Sequence, residues 1–200
     1  MNRSQLTTIT PKGTARWPKL NTPDTKFNQD GEYSCELILE DDATTTKYIA
    51  SLDALFEEAT EEVKAREKKT KADTYRRPWY PELNDAEEET GRTIIKTKLK
   101  ALVRPKSGAE PFPKSPTLID AKGQKMTDLI GPGSALRIKT EMFPWFTPTL
   151  GVGVTMQIKT VQVIELCEND DTAGFDIIDD GFETAASVPE AEGVADGGDF

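Results

Sequence analysis

Around Tyr33 the chain alternates with period two. Tyr33, Cys35, Leu37 and Leu39 fall on one side, Ser34, Glu36 and Glu40 on the other, and Ile38 is the one apolar residue on the polar side. That pattern predicts a half-buried strand. Upstream, residues 4–20 are Thr-rich and extended in character, with a bend expected at Pro11-Lys12-Gly13 and an end at Pro18. Asn28-Gln29-Asp30-Gly31 is a turn cluster. After Asp41-Asp42 the period changes. Tyr48, Ile49, Leu52, Leu55, Phe56, Ala59 and Val63 recur at helical spacing and predict one prominent helix over 43–69. Lys64, Arg66, Lys68 and Lys69 in its last turns suit the negative end of the helix dipole.

Residues 70–92 show neither period and read as a long irregular excursion. A basic and aromatic cluster (Tyr75, Arg76, Arg77, Trp79, Tyr80) opens it, and an acidic run from Asp85 to Glu89 follows. Alternation returns at Arg92, where Lys96, Lys98 and Lys100 interleave with Ile95, Thr97, Leu99, Ala101 and Val103. A Pro/Lys/Gly linker over 105–116 leads to a short strand at Leu118-Ile119 and a turn at Asp120-Ala121-Lys122-Gly123. Beyond Gly131-Pro132-Gly133, Leu136, Ile138, Thr140 and Met142 oppose Arg137, Lys139, Glu141 and Phe143 on another strand. Phe143-Pro144-Trp145-Phe146 and Pro148 read as an aromatic loop. A last strand runs from Gly151 to Leu166, and its apolar phase shifts between Ile158 and Val161, which predicts a bulge.

About five main strands with one helix inserted after the second define a mainly β chain. This inventory fits an OB-like, five-stranded antiparallel barrel, and it also fits a generic α+β sandwich. Residues 1–166 are expected to form the single domain and 167–200 a disordered acidic tail, since the tail combines low hydrophobicity with charge of one sign.

Charge divides the chain in the same place. The net charge is −10, yet Leu166 to Phe200 holds eleven acids and no base, which leaves the body at +1. Within 93–165 there are eleven Lys/Arg and five acids, a balance of +6. The mean hydropathy is −0.55, and no apolar run is long enough for a membrane span. No signal peptide is apparent, and the two cysteines, Cys35 and Cys167, lack metal-type spacing, so a reduced cytoplasmic setting is expected. With no histidine, His triads, His general bases and His-ligated zinc are excluded. The carboxylates form no catalytic set. Neither an enzymatic activity nor a metal or other cofactor is expected.

Lysines 96, 98 and 100 of an extended strand share one face at about 6.6 Å spacing, which suits a phosphodiester backbone. A merely solvated sheet face is the competing reading. Arg137 and Lys139 are candidates for the same role. Trp145 and Phe146, with Trp17 or Trp79, are the candidate stacking platforms, because every base offers a π-face. Arg16, Lys19, Arg76, Arg77, Tyr80, Arg104 and Phe143 complete the candidate interface. Gly151-Val152-Gly153-Val154 lacks the pattern of a phosphate loop and reads as tight strand packing. Cys35 is expected to be buried and inert. The tail ends in Asp199-Phe200, and a terminal aromatic carboxylate is a ready anchor for a basic-rimmed pocket. Two functions follow from the residues: a sequence-nonspecific binder of single-stranded DNA, or an acidic DNA mimic or adaptor without DNA affinity.

Several segments, in order, resemble the single-stranded-DNA-binding proteins of phage T7-type replication systems. They are Gly13-Thr14-Ala15, Gly31-Glu32-Tyr33, Asp120-Ala121-Lys122-Gly123-Gln124-Lys125-Met126 and Leu136-Arg137-Ile138-Lys139. Pro144-Trp145, Gly151-Val152-Gly153-Val154, Val161-Gln162-Val163-Ile164-Glu165-Leu166 and the final Gly198-Asp199-Phe200 continue the series. The resemblance implies an OB fold, a basic and aromatic DNA cleft, often a homodimer, and work in phage DNA replication, recombination and repair inside the host cytoplasm. It also implies that the tail, through Asp196, Asp199 and Phe200, contacts the phage DNA polymerase and helicase–primase and competes with DNA for the cleft. This tail is shorter and less densely acidic than the family's, and the 70–92 excursion is this chain's own.

Overall fold

The computed structural model describes residues 6–66, 75–105 and 107–167, without the side chains of Lys64, Arg66 and Tyr75. The tail expected over 167–200, beyond Cys167, and the end of the helix expected at 67–69 lie outside the described residues. In chain order the elements are β1 (Thr7–Ile9), β2 (Gly13–Asp24), β3 (Glu32–Leu39), α1 (Ala43–Arg66), β4 (Tyr75–Arg76), β5 (Trp79–Leu83) and β6 (Glu89–Lys100). Then come β7 (Leu102–Val103), β8 (Phe112–Pro113), β9 (Thr117–Ile119), β10 (Ala135–Thr147) and β11 (Gly151–Glu165).

Five of these strands close a ring. β2 pairs β3, β3 pairs β6, β6 pairs β11, β11 pairs β10, and β10 returns to β2. Only the β6–β11 contact in that ring is parallel. This is the closed Greek-key barrel of the OB fold, and closure removes the open edges that a two-layer sandwich keeps. The alternation of β3 is realised residue for residue: Tyr33, Cys35, Leu37 and Leu39 are buried and the residues between them are half-buried. They meet Ile95, Leu136, Ile138, Met142, Met156, Ile158 and Val161 in the barrel interior. Fully burying one such side chain contributes about 1.5–3 kcal/mol. Burial also pushes the Cys35 thiol up to about 12, so it is an apolar core group rather than a reactive one.

α1 starts where Asp42 accepts the Thr45 N–H at 2.7 Å, an N-cap. Its buried stripe of Leu52, Phe56, Ala59 and Val63 packs against the barrel. The bulge expected before Val161 is present: Lys139 pairs Thr160 while Thr140 pairs Ile158, so Lys159 has no opposite number. Its ammonium reaches the buried Glu141 carboxylate at 2.7 Å.

Three expectations need correction. β2 does not end at Pro18; it continues to Asp24 because a bulge absorbs the proline. Trp17 takes a φ of 49°, and Arg16 and Lys19 pair Glu36 and Ser34, so one extra residue is accommodated. The 70–92 stretch is not irregular throughout. β5 pairs β6 and the two form a hairpin around Asn84, whose side-chain oxygen accepts the Ala86 and Glu88 N–H groups. The aromatic segment 143–147 is not a loop either. It is the end of β10, paired with Gly151–Thr155, and the turn is confined to the residues between Thr147 and Gly151.

Candidate nucleic-acid interface

The barrel registers carry one outer face across the sheet. Arg16, Glu36 and Lys96 stand in a row over β2, β3 and β6. Lys19, Ser34 and Lys98 form the next row, which continues through Gln157 of β11 to Glu141 of β10. Asp24, Glu32 and Lys100 form the third. Since side chains two apart share a face, Phe143 opposite Thr155 and Trp145 opposite Gly153 lie on this same side of the hairpin. Arg76 of β4 pairs Gly153 and joins them. The three lysines of β6 are exposed, as is Lys19.

Bound carboxylates set the local electrostatics. Arg16 donates to the Glu36 carboxylate from Nε at 2.9 Å and Nη2 at 2.6 Å. Lys96 reaches the other Glu36 oxygen at 3.2 Å, and the Tyr80 hydroxyl lies 3.5 Å from it. Glu82 is held by Arg92 at 2.6 Å and by the Thr90 hydroxyl at 2.9 Å, with Arg16 Nη1 4.0 Å away. Burial acts against the charge of Arg16 and of Lys96. The hydrogen bond and charge of Glu36 outweigh it, and both pKa values are raised. Lys98 makes a looser pair with Glu32 at 3.5 Å.

The aromatic residues divide by burial. Trp17 is 66% exposed, with the Arg16 guanidinium 4.6 Å from its ring centroid. The bulge turns it outward above a shallow cleft of about 350 Å³ that Lys19, Leu129 and Pro132 also line. Trp145 is half-buried and lies on Gly153, where an added β-carbon would collide with the indole. Phe143 is exposed. The ammonium of Lys96 lies 5.1 Å from the half-buried Tyr80 ring.

Other candidates are placed elsewhere. Trp79, expected to stack bases, is in the core: 6% exposed, edge-on to Phe56 with centroids 5.8 Å apart, its indole N–H donating to Asp53 at 3.2 Å. Arg77 bonds the same carboxylate at 2.8 Å and lies over Phe56, so it clasps the β5 segment to α1. Phe146 packs on Val63 and Val152 and ties the hairpin to the helix. Arg104 forms a two-pronged pair with Asp30 at 2.6 and 2.8 Å, bracing the turn before β3. Arg137 and Lys139 are exposed on β10 and share the odd-numbered face of Glu141, Phe143 and Trp145, but at about 3.4 Å per residue Lys139 is about 20 Å from Trp145. Asp196, Asp199 and Phe200 are outside the described residues.

Sequence reasoning missed Arg92 and Gln157, and it missed the acids Glu36 and Glu82 as partners of the basic face. It also passed over Phe27, 90% exposed in the β2–β3 connection with the Lys26 ammonium 5.4 Å from its ring. Arg92 keeps the even-numbered phase of Lys96, Lys98 and Lys100, a signal that the buried Ile94 interrupts. Among the described residues no group of three or more Asp, Glu or Cys is placed to hold a metal, and no helix is long and apolar enough to cross a membrane.

An OB barrel presenting cations on β2 and β6 and aromatic rings on β2 and β10 has the form of an oligonucleotide-binding module. Residues 9–166 match the family described as the single-stranded DNA-binding protein of bacteriophage T7, and the chain belongs to that family. The single-stranded DNA-binding protein of Escherichia phage T7 is 33% identical over 79 residues, 38% of this chain. That aligned stretch spans only 34% of the relative's length. The fold is similar to the crystal structure of gp2.5, the single-stranded DNA-binding protein encoded by bacteriophage T7, with a TM-score of 0.67 at 23% identity, over 90% of this chain and 98% of that one. It is also similar to the single-stranded DNA-binding protein from bacteriophage Enc34 in complex with ssDNA, with a TM-score of 0.61 at 12% identity, over 82% of this chain and 88% of that one.

Proposed function

We propose that this protein binds single-stranded DNA without regard to sequence. The observation that carries the reading is the shared face of the β6 lysines and the exposed aromatic rings. Lys96, Lys98 and Lys100 alternate along an edge-to-edge row system that extends through Gln157 to the Phe143 and Trp145 side of the hairpin. Cations spaced along a strand neutralise phosphates, and flat rings beside them stack on unpaired bases of any sequence. A duplex hides its bases from such rings. Family membership and the DNA-bound relative from bacteriophage Enc34 support the same reading.

The rest of the proposal concerns the cell. Residues 1–166 are the binding domain, and 167–200 are a separate acidic tail. The protein covers and protects single strands during phage DNA replication, recombination and repair in the host cytoplasm, without catalysis or a cofactor. Its acidic tail, through Asp196, Asp199 and Phe200, recruits the phage DNA polymerase and helicase–primase, and the working form is a homodimer. The charge division of the sequence, eleven acids after Leu166 against a balance of +6 over 93–165, supports a tail that acts apart from the binding face.

Gel-shift titration with poly(dT) and with duplex at two salt concentrations tests the binding reading. Tighter binding of poly(dT), weakening at the higher salt, is expected. No binding, or a preference for duplex, contradicts it and returns the acidic adaptor.

A further inference from the structure

The basic face contains a carboxylate that cations alone do not require. Glu36 sits in the middle of the first row, on β3, with a side chain only 17% exposed, and Arg16, Lys96 and the Tyr80 hydroxyl all converge on it. An oxyanion held by a guanidinium fork, an ammonium and a hydroxyl occupies the position that a phosphodiester oxygen would take on the same groups. We propose that Arg16, Lys96 and Tyr80 form a phosphate subsite in which Glu36 is a resident anion, exchanged for one backbone phosphate when the strand binds. This rests on the DNA-binding reading above.

The network is built for such an exchange because Arg16 has two anchors. Glu82 is the more buried, with a 9% exposed side chain, and Arg92 and Thr90 fix it. Its oxygen stays 4.0 Å from Arg16 Nη1 on the side away from the Glu36 contacts at Nε and Nη2. When Glu36 withdraws, Arg16 therefore keeps its orientation. Lys96 is 57% exposed and can follow the incoming anion. Arg16, Lys96 and Arg92 against Glu36 and Glu82 leave the network with one net positive charge. The face therefore carries less free charge than its count of bases suggests. Lys100 is the contrast: among the described residues it makes no close ion pair, and it acts on Asp30 only through its charge.

The test is fluorescence anisotropy of a labelled oligo(dT) with the full-length protein over a salt series, for the wild type, Glu36→Gln and Glu165→Gln. Among the described residues Glu165 pairs the exposed Lys12 alone, and it controls for the loss of any negative charge. Glu36→Gln should bind about two- to fivefold more tightly, the worth of one partly exposed ion pair. Its slope of log affinity against log salt should steepen by about 0.7, because the phosphate then displaces a bound counterion instead of the Glu36 carboxylate. Glu165→Gln should match the wild type. Binding by Glu36→Gln that is unchanged or weaker overturns the subsite, as does an equal gain in Glu165→Gln. Should Glu36→Gln not fold, Lys96→Gln and Lys100→Gln decide. Lys96→Gln should lose less affinity than Lys100→Gln, because Lys96 gives up its contact with Glu36 to bind, and the reverse order overturns the proposal. Absence of oligo(dT) binding by the wild type would instead remove the DNA-binding reading, and the subsite with it.

Discussion

Single residues separate the interface from the scaffold. Trp145 and Trp79 are both tryptophans beside prolines in the sequence, and only their burial tells them apart. Trp79→Ala opens the core beside Phe56 and orphans the Asp53 contact. It should cost about 3–5 kcal/mol in denaturant unfolding. Trp145→Ala should leave unfolding much less affected and weaken binding to oligo(dT), oligo(dA) and mixed sequences alike, by about 1–3 kcal/mol in parallel titrations. A loss confined to one base composition would mean that Trp145 reads sequence. Asp30 offers a test by pH. The hydrogen bond from Arg104, which outweighs the small effect of desolvation, holds its carboxyl below the usual carboxylate range. A folded-state pKa lower than the unfolded value means that the pair stabilises the turn above about pH 4 and is lost as pH falls through the folded value. The Asp30 carboxyl carbon shift in an NMR titration should therefore move at lower pH than ordinary aspartates, and Arg104→Gln should return it to their range.

At the scale of elements, the sequence was legible wherever burial was one-sided. β3 and β10 alternate because one face lines the barrel, and α1 shows its stripe because it packs on one side only. The bulge at Lys159 was readable as a phase change, since a slip of one residue moves every following side chain to the other face. β5 was hidden because its five residues mix a buried Trp79, a buried Glu82 and Pro81, a pattern that resembles no strand. The end of β10 was hidden because Pro144 and the crowded aromatics imitate a loop. What makes that hairpin possible is Gly153, which leaves room for the Trp145 indole. Gly153→Ala should displace the ring, lower the melting temperature and weaken single-strand binding together. A variant that melts lower and binds normally would place Trp145 outside the interface. The carboxylates of the proposed binding face were not legible, because their meaning depends on which strands become neighbours. Glu36 and Lys96 are sixty residues apart and meet only through the β3–β6 register.

At the scale of the whole molecule, a chain of net charge −10 leaves its body at +1, because the eleven acids after Leu166 have no base among them. Truncation after Leu166 should leave the barrel folded and bind single strands at least as tightly as the full chain, while losing any replication partner captured through the tail. The claim on which the rest depends is that the β6 lysines neutralise the phosphates of a single strand. The most direct measurement is oligo(dT) affinity against salt for the wild type and for the Lys96→Gln, Lys98→Gln, Lys100→Gln triple variant. The wild type should lose affinity steeply as salt rises. The triple variant should bind more weakly, with a log–log slope shallower by about one to two, since each contact on a single strand contributes about 0.7 and Glu36 already offsets part of Lys96. A wild-type affinity indifferent to salt, or a triple variant with the wild-type slope, would contradict the account.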